Sequence, residues 1–337
     1  MSNYIGYLLL GLGNGAVFAA LALALVVTYR SSGVINFATG SMSLYAAYVY
    51  GYMREGRLLI LIPGLPTTVS LGFKAGFWVG MLLSLILTSL LGLLLYFAVF
   101  RPLRTAPPVA RVVASLGVQL AIVLLVAKKL GTKPLLVPKL FTSAKFRLGQ
   151  TVVKEDRLWL AGTILLLAVA LGALFKFTRF GLATRAAAES EKGAVVSRIS
   201  PTRVAAINWM LSAAVAGIAG ILISSQVQGL VPVSYTLFIV PALAAAVLSR
   251  LEYMVPAVLG GLLIGMLQSE TEFLKGKWSW FPSSASIPAS EIVRPHSSVL
   301  STITSHPVSR MPRPRPIAWT NWDRTRSRWA RRHASSR

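Results

Sequence analysis

The sequence predicts an all-α polytopic membrane protein with about eight transmembrane helices. The chain has 337 residues, of which 55% are hydrophobic and 13% are charged, whereas soluble domains carry about 25% charged residues. The mean hydropathy is +0.65, and apolar runs long enough to cross a bilayer recur along the chain. There is no cysteine, which excludes disulfides and thiolate metal sites.

The first two predicted crossings differ in regularity. Residues 4–28 form an uncharged run, longer than the roughly 7–15 apolar residues of a cleavable signal peptide, and this predicts a retained crossing. Residues 31–53 also have the required length, but glycines at 33 and 40 flank Asn36 and Phe37 in their first third. These residues predict irregular backbone, which a bilayer tolerates only where it is buried in protein or lines a wet cavity.

The remaining crossings follow from the spacing of charges, prolines and glycines. The fourth is expected to begin near Pro108. A polar loop over 128–157 could hold a short hairpin, and 250–252 make a tight loop. The third to eighth crossings are predicted over 75–100, 111–127, 158–175, 204–227, 234–249 and 253–269.

The polar stretch 178–203 interrupts the central apolar region. A short helix is predicted over 182–191, with Gly193 at the place where a helix would stop, because glycine adopts a left-handed cap at little cost. Ser200 and Pro201 predict the start of the next helix, as N-cap and first helical residue. From the residues alone, this stretch is either a solvated connector or a docking element for a partner at the membrane surface.

Glycine pairs four residues apart predict close helix packing in the bilayer. They occur at 11 and 15, at 76 and 80, and at 261 and 265. No charged residue or histidine lies well inside a predicted crossing, which disfavours ion-coupled transport. Uncharged polar residues and one aromatic residue beside them are therefore the candidates for a translocation path. Asn14 and Asn36 are the strongest candidates, because glycines surround them. The candidates are Asn14, Asn36, Phe37, Gln119, Gln226 and Gln228.

Motifs for catalysis and nucleotide binding do not occur in the sequence. A G-x-x-x-x-G-K-[ST] phosphate loop is missing, so the chain cannot hydrolyse a nucleotide by that route. The glycines at 11, 13 and 15 lie in an apolar span with no preceding strand, and they are not a dinucleotide fingerprint. We expect no catalytic residues, no cofactor and no metal, and a membrane enzyme is disfavoured.

The formal charge of +24 suggests nucleic-acid binding, but its distribution argues against it. Residues 292–337 hold ten arginines against one aspartate, and positive charge elsewhere lies in loops, as is usual in polytopic proteins. We therefore expect lipid contact and no nucleic acid. Residues 294–337 are interpreted as a basic, disordered tail or as the product of a reading-frame shift near residue 293.

Three segments, at 28–42, 179–222 and 235–270, resemble the inner-membrane permease of branched-chain amino acid ABC importers. They begin TYRSSGVINF, RFGLATRAAAESEKG and YTLFIVPALA. The resemblance runs from about residue 4 to residue 293, so that 1–293 is the expected permease domain. It implies ABC importer permease architecture in the bacterial cytoplasmic membrane, with 176–203 in the cytoplasm and the amino terminus outside.

The resemblance also implies partners and a coupling role. The partners are a second permease subunit, identical or homologous, two cytoplasmic ATPase subunits and an extracytoplasmic solute-binding protein. The solutes are branched-chain amino acids or related small polar molecules. The residues matching the coupling loop are Arg185, Ala187, Ala188, Glu189, Glu191 and Gly193. The alternative is a transporter or channel that works without an ATPase.

Overall fold

Helices dominate the computed structural model, which confirms the predicted all-α class. The structure describes residues 2–61, 66–70, 72–131, 135, 137, 145–148, 151–226 and 237–277. The α-helices within these ranges are α1 (Ser2–Ser32), α2 (Thr39–Arg54), α3 (Phe77–Leu95), α4 (Pro108–Leu130), α5 (Asp156–Phe177), α6 (Arg179–Glu189), α7 (Glu191–Val196), α8 (Pro201–Gln226), α9 (Ile239–Leu248) and α10 (Met254–Lys277). Gln228 and the predicted tail over 294–337 lie outside them.

Six of these helices are long and apolar enough to cross a membrane. The spans are Gly6–Ser32, Phe77–Phe100, Pro108–Leu130, Asp156–Phe177, Pro201–Ser224 and Met254–Thr271. The predicted second and seventh crossings contain the shorter helices α2 and α9, of 16 and 10 residues. The eight predicted membrane segments are therefore six full-length helices and two short ones.

Helix α1 lies at the centre of the bundle. It packs against α5, α8, α9 and α10, and 89% of its most apolar stretch is buried, against 28% for α3, α4, α5 and α10. The outer helices expose large aliphatic side chains, including Leu82, Leu120 and Leu166. A helix that is apolar all round belongs in a protein core, whereas helices with an exposed apolar face suit contact with lipid.

Glycines bring α1 and α10 into backbone contact. A Cβ atom added at Gly11 would lie 2.5 Å from the carbonyl oxygen of Gly265, and one at Gly261 would lie 2.5 Å from the Cα of Ala19. The predicted packing role is thereby confirmed for two of the three pairs. The third pair makes no such backbone contact, because a Cβ at Gly76 would meet open space and one at Gly80 would lie 3.5 Å from the side chain of Tyr50.

Small hydroxyl groups join the inner helices where apolar side chains cannot. The Thr28 hydroxyl on α1 bonds to that of Ser212 on α8, and Ser212 also donates to the carbonyl of Ala24 at 2.8 Å. On the other side of the core, Ser84 of α3 donates to the carbonyl of Ala46 on α2 at 2.7 Å. Such interhelical hydrogen bonds supplement van der Waals packing in a bilayer.

The backbone is irregular between α1 and α2, as the sequence predicts. Gly33 has a φ of +63°, a left-handed conformation that glycine adopts without a Cβ clash. Helix α1 ends at Ser32 and α2 begins only at Thr39, so the predicted second crossing over 31–53 is interrupted by non-helical backbone near its start. A second irregularity follows α3, whose last turn, Tyr96–Phe100, is a π-helix before Pro102 starts a 3-10 turn.

Two antiparallel hairpins lie on the face opposite to the α6–α7 connection. Strands β3 (Lys145–Leu148) and β4 (Thr151–Lys154) form the short hairpin considered for the loop over 128–157. Strands β1 (Arg57–Leu59) and β2 (Thr68–Ser70) form a second hairpin that the sequence did not predict. The Lys129 ammonium donates to the carbonyl of Ile60 at 3.1 Å, which attaches α4 to this face.

Two helices end in left-handed caps occupied by arginine. Arg198 after α7 and Arg250 after α9 both have a φ of 58°. Each cap is closed by two backbone hydrogen bonds, such as Ile199 N–H to the Ala194 carbonyl at 2.8 Å. This is the Schellman arrangement, in which glycine is the usual residue. The cap at Arg250 makes the tight loop predicted over 250–252.

Candidate functional site

The polar connection between α5 and α8 contains two helices where one was predicted. Helix α6 ends at Glu189, and Ser190 interrupts the chain in an extended conformation. The Ser190 hydroxyl then caps α7 by accepting from the N–H of Gly193 at 3.1 Å. The predicted stop at Gly193 is therefore wrong, because the serine N-cap places Gly193 in the first turn of a new helix. Ser200 and Pro201 start α8 as predicted.

Buried contacts hold α6 against the bundle. Thr184 is 1% exposed, and its hydroxyl accepts a 3.1 Å hydrogen bond from the amide of Asn208 on α8. The Phe180 ring lies 5.8 Å from that of Phe175, over which the guanidinium of Arg30 sits at 5.2 Å. Helix α6 is thus attached to α1, α5 and α8, so a displacement of α6 acts directly on three membrane helices.

An ion pair holds α7 to the connection between α3 and α4. The Arg104 guanidinium donates from Nε to Glu191 Oε1 at 2.8 Å, and its Nη2 lies 2.5 Å from Oε2. It is the one salt bridge within the described part of the chain. The side chains are 38% and 59% exposed, so the pair contributes little to stability but defines a specific geometry, because both oxygens are engaged.

The outer side of α6 and α7 forms a mixed apolar and charged surface, called here the coupling surface. On α6 its residues recur at helical spacing. The exposed fractions of its three apolar side chains are 61% for Leu182, 61% for Val195 and 85% for Val196. The coupling surface consists of Leu182, Arg185, Glu189, Lys192, Val195 and Val196, all exposed.

A groove of about 590 Å³ runs beside the coupling surface. Arg185, Ala188 and Glu189 line one wall of it, and Arg250 and Glu252, in the loop between α9 and α10, line the other. Arg185 and Glu189 make no salt bridge within the described residues, although their spacing puts them on one face. Their charged groups are therefore available to a ligand or partner.

All six predicted coupling residues lie on α6 and α7, but they differ in environment. Arg185, Ala188, Glu189 and Gly193 are exposed, whereas Ala187 is half-buried and faces the bundle. Glu191 is bound to Arg104, a partner that sequence reasoning did not identify. The two residues are 87 positions apart, and neither periodicity nor a motif indicates their contact.

Two of the predicted path residues, Asn36 and Phe37, lie at the broken start of α2, and a third lies on the neighbouring helix α4. Asn36 is 1% exposed, and its Oδ1 accepts from the N–H of Ala38 at 3.1 Å, while its Nδ2 is buried without a partner. The N–H of Phe37 donates to the hydroxyl of Ser115 on α4 at 3.2 Å. Gln119, 6% exposed, follows Ser115 by one helical turn.

The other predicted path residues are not part of this group. Asn14 lies on α1 and is exposed, although its neighbours from Gly11 to Val27 are buried. Gln226 is the last residue of α8, and Gln228 is outside the described residues. Ser115 was missed because a serine inside an apolar run gives no sequence signal.

The connections predicted to be cytoplasmic lie on one face of the molecule. The end of α1, the start of α8, the turn between α3 and α4 and helices α6 and α7 line a common pocket. The loop between α9 and α10 lines the neighbouring groove together with residues of α1 and α6. This arrangement is that of a chain whose segments α1 to α5 and α8 to α10 cross a membrane alternately.

The chain is similar to known proteins over most of its sequence. The family described as the permease component of branched-chain amino acid transport systems matches residues 7–290. No solved structure matches the chain.

Three relatives illustrate the similarity. The high-affinity branched-chain amino acid transport system permease protein LivH of Salmonella typhimurium is 26% identical over 77% of this chain and 83% of its own length. The corresponding BraD permease protein of Pseudomonas aeruginosa is 26% identical over 79% of this chain and 86% of its own length. A probable LivH permease of Methanocaldococcus jannaschii is 29% identical over 74% of this chain and 75% of its own length.

Proposed function

The chain belongs to the family of branched-chain amino acid transport permeases, and we propose that its coupling surface docks the ATP-hydrolysing subunits that drive uptake. The protein is the permease subunit of an ABC importer and a multi-pass protein of the cytoplasmic membrane. In the proposed orientation α6 and α7 face the cytoplasm, and the amino terminus and both hairpins face outward. ATP binding and hydrolysis then belong to separate subunits, and the permease itself catalyses no reaction.

The exposure of Leu182, Val195 and Val196 carries the docking proposal. These three side chains lie outside the candidate membrane spans, so the hydrocarbon core of a bilayer is not expected to bury them. Apolar groups mixed with Arg185 and Glu189 on one surface suit a protein interface, in which apolar contacts supply affinity and charges supply orientation. A solvated connector would not require this exposed apolar area.

Docked subunits would move the membrane helices through the attachments of α6 and α7. The Thr184–Asn208 hydrogen bond connects α6 with α8, and the Arg104–Glu191 ion pair connects α7 with the end of α3. The 3-10 turn at Arg104 leads into α4, where Ser115 holds the broken start of α2. Closure of the ATPase subunits thereby changes the path between outward-open and inward-open states, provided that the contacts differ in the two states.

The translocated solute passes the irregular segment between α1 and α2 in this proposal. The unpartnered Nδ2 of Asn36 supplies a buried donor, and Gln119 supplies a second polar group one helical turn after Ser115, which binds the N–H of Phe37. A carboxylate accepts hydrogen bonds from such donors. We infer that the solutes are branched-chain amino acids or related small polar molecules.

The complete importer is proposed to contain a second permease subunit, identical or homologous, two ATPase subunits and an extracytoplasmic solute-binding protein. Asn14, an exposed residue within the buried stretch of α1, suits either the path or a contact with the second permease subunit. The rival function is a channel or transporter that works without an ATPase. Family membership favours the importer.

Co-purification from the native membrane tests the function directly. The tagged full-length permease should bring an ATPase subunit with it in mild detergent, and the Val195→Asp/Val196→Asp variant should lose this subunit while remaining folded. Recovery of the permease alone, in a preparation that still transports solute, would identify it as an ATPase-independent transporter.

A further inference from the structure

A small pocket lies behind the coupling surface, between α7 and the ends of four membrane helices. Its volume is about 100 Å³, which accommodates a tetrahedral oxyanion but not a large ligand. Three guanidinium groups and an aromatic wall characterise its lining. These side chains are Arg101, Arg104, Arg111, Tyr96, Phe100 and Trp209. We call it the arginine pocket.

Positive charge in the arginine pocket is only partly neutralised. Glu191 is the one carboxylate in the described lining, and both of its oxygens are engaged by Arg104. Arg111 donates from Nη1 to the carbonyl of Ser32 at 3.2 Å, and its Nε is buried with no hydrogen-bond partner. Arg101 lies 5.6 Å from the centre of the Phe97 ring. Two cations of the pocket therefore have no carboxylate partner within the described chain.

The position of the arginine pocket points to the membrane surface. The candidate spans of α1, α3, α4 and α8 end or begin at Ser32, Phe100, Pro108 and Pro201, and the pocket lies at these four ends. Lipid phosphates occupy this level of a bilayer, outside the hydrocarbon core. Beside it, α3 exposes 44% of Phe97 and 57% of Leu94, an apolar surface along which acyl chains can lie.

We propose that the arginine pocket binds the phosphate of an anionic phospholipid from the cytoplasmic leaflet. Guanidinium groups recognise phosphate through paired, charge-assisted hydrogen bonds, and basic pockets between the cytoplasmic ends of membrane helices bind lipid headgroups. The buried Nε of Arg111 provides an unused donor for such a bond. The proposal depends on the proposed function only for the identity of the leaflet.

Occupation of the arginine pocket has a consequence for the elements around it. A bound phosphate contacts the end of α1, the π-turn of α3, the start of α4 and the start of α8 at once. It also competes with Glu191 for Arg104. The lipid therefore stabilises the membrane ends of the bundle and weakens the attachment of α7, which makes the composition of the leaflet a regulator of coupling.

Lipid retention tests the site without any partner subunit. The full-length permease is purified in mild detergent with phosphatidylglycerol or with phosphatidylcholine of the same acyl composition, and bound lipid is counted by native mass spectrometry. The wild type should retain phosphatidylglycerol preferentially. Removal of two charges in Arg101→Gln/Arg111→Gln should lower this retention about thirtyfold, whereas Lys192→Gln, which removes an exposed cation outside the arginine pocket, should not change it.

Additional measurements distinguish binding of a lipid from the other possible outcomes. Equal retention of the two lipids, or equal retention by wild type and double variant, would overturn the proposal. If the double variant does not fold, Arg101→Gln alone should reduce retention about fivefold. This single change should be tolerated, because the Arg101 guanidinium lies over the exposed ring of Phe97. If inorganic phosphate displaces the lipid and binds lipid-free protein through the same arginines, the ligand is free phosphate and not lipid. Because no ATPase takes part, a negative result leaves the transport function untouched.

Discussion

Glu189 and Glu191 are two residues apart in the chain but have different environments. Glu191 is held by Arg104 and belongs to the internal structure of the permease. Glu189 is exposed, has no salt bridge within the described residues and lines the groove beside the coupling surface. Of the two carboxylates, Glu189 is therefore the one available to an ATPase subunit.

Reversal of this exposed charge should reduce coupling. We expect Glu189→Arg to lower ATP-dependent uptake into proteoliposomes about tenfold, which corresponds to a loss of about 1.4 kcal/mol in docking free energy. The affinity of the solute-binding protein for its solute should not change. Glu189→Asp retains the charge and serves as control. Normal uptake by the arginine variant would exclude a role for Glu189 in docking.

A change at Asn36 should affect the solute more than the partners. Asn36→Ala removes the bond to the N–H of Ala38 and the unpartnered donor, and should destabilise the permease by about 1 kcal/mol. If the amide contacts the solute, the half-saturating solute concentration for uptake should rise about fivefold. ATPase co-purification should be unchanged. A variant with wild-type uptake kinetics would remove Asn36 from the path.

At the level of elements, the Arg104–Glu191 pair is the connection between α7 and the end of α3. The π-turn at Tyr96–Phe100 and the 3-10 turn after it interrupt regular helix here. Such interruptions occur often at functional hinges. The Phe100 ring packs at 4.3 Å from that of Trp209, so this interrupted segment is also in contact with α8.

A charge exchange tests whether this connection transmits motion. Arg104→Glu and Glu191→Arg should each uncouple ATP hydrolysis from uptake, because each places two like charges in contact. The double variant, which restores an ion pair, should recover most of the uptake. Each single change should alter unfolding stability by less than about 1 kcal/mol, because both side chains are largely exposed. Equal defects in single and double variants would contradict transmission through the pair.

The α1–α10 contact should be intolerant of side chains. Gly265→Leu forces bulk against the backbone of α1, and we expect it to destabilise the protein by about 3 kcal/mol, the upper range for overpacking. Gly76→Leu is the matched control, since a side chain there meets open space, and its effect should remain below about 0.5 kcal/mol. Thermal unfolding in detergent measures both. Similar melting temperatures for the two variants would contradict the contact.

At the scale of the whole molecule, the alternation of segments fixes the topology. The chain contains no cysteine, so single cysteines can be labelled without background. With an impermeant maleimide, Glu55→Cys should react in intact cells, because Glu55 lies on the hairpin face. Lys192→Cys should react only after permeabilisation. Labelling in the reverse order would invert the orientation and remove the coupling surface from the cytoplasm.

Sequence reasoning predicted the membrane class, the positions of the eight segments and the irregular start of α2, because apolar length and glycine placement are local signals. It also predicted close packing at Gly11 and Gly265, although not which helices meet. It missed the division of α6 from α7, since the cap formed by Ser190 competes with an Ala-rich helix pattern. The contacts of Arg104 and Ser115 were missed because their partners are distant in the chain. No local pattern in a single sequence indicates such contacts.

The central position of α1 has a consequence for biogenesis. Helix α1 is synthesised before α10, and the glycines of α10 that face it follow about 250 residues later, which at about 5–20 residues per second delays their contact by about 10–50 s. During this interval the glycine face of α1 is covered by lipid or by the insertion machinery. The contact between α1 and α10 therefore forms late, and a ribosome stalled before α10 leaves an inserted but open intermediate for quality control to remove.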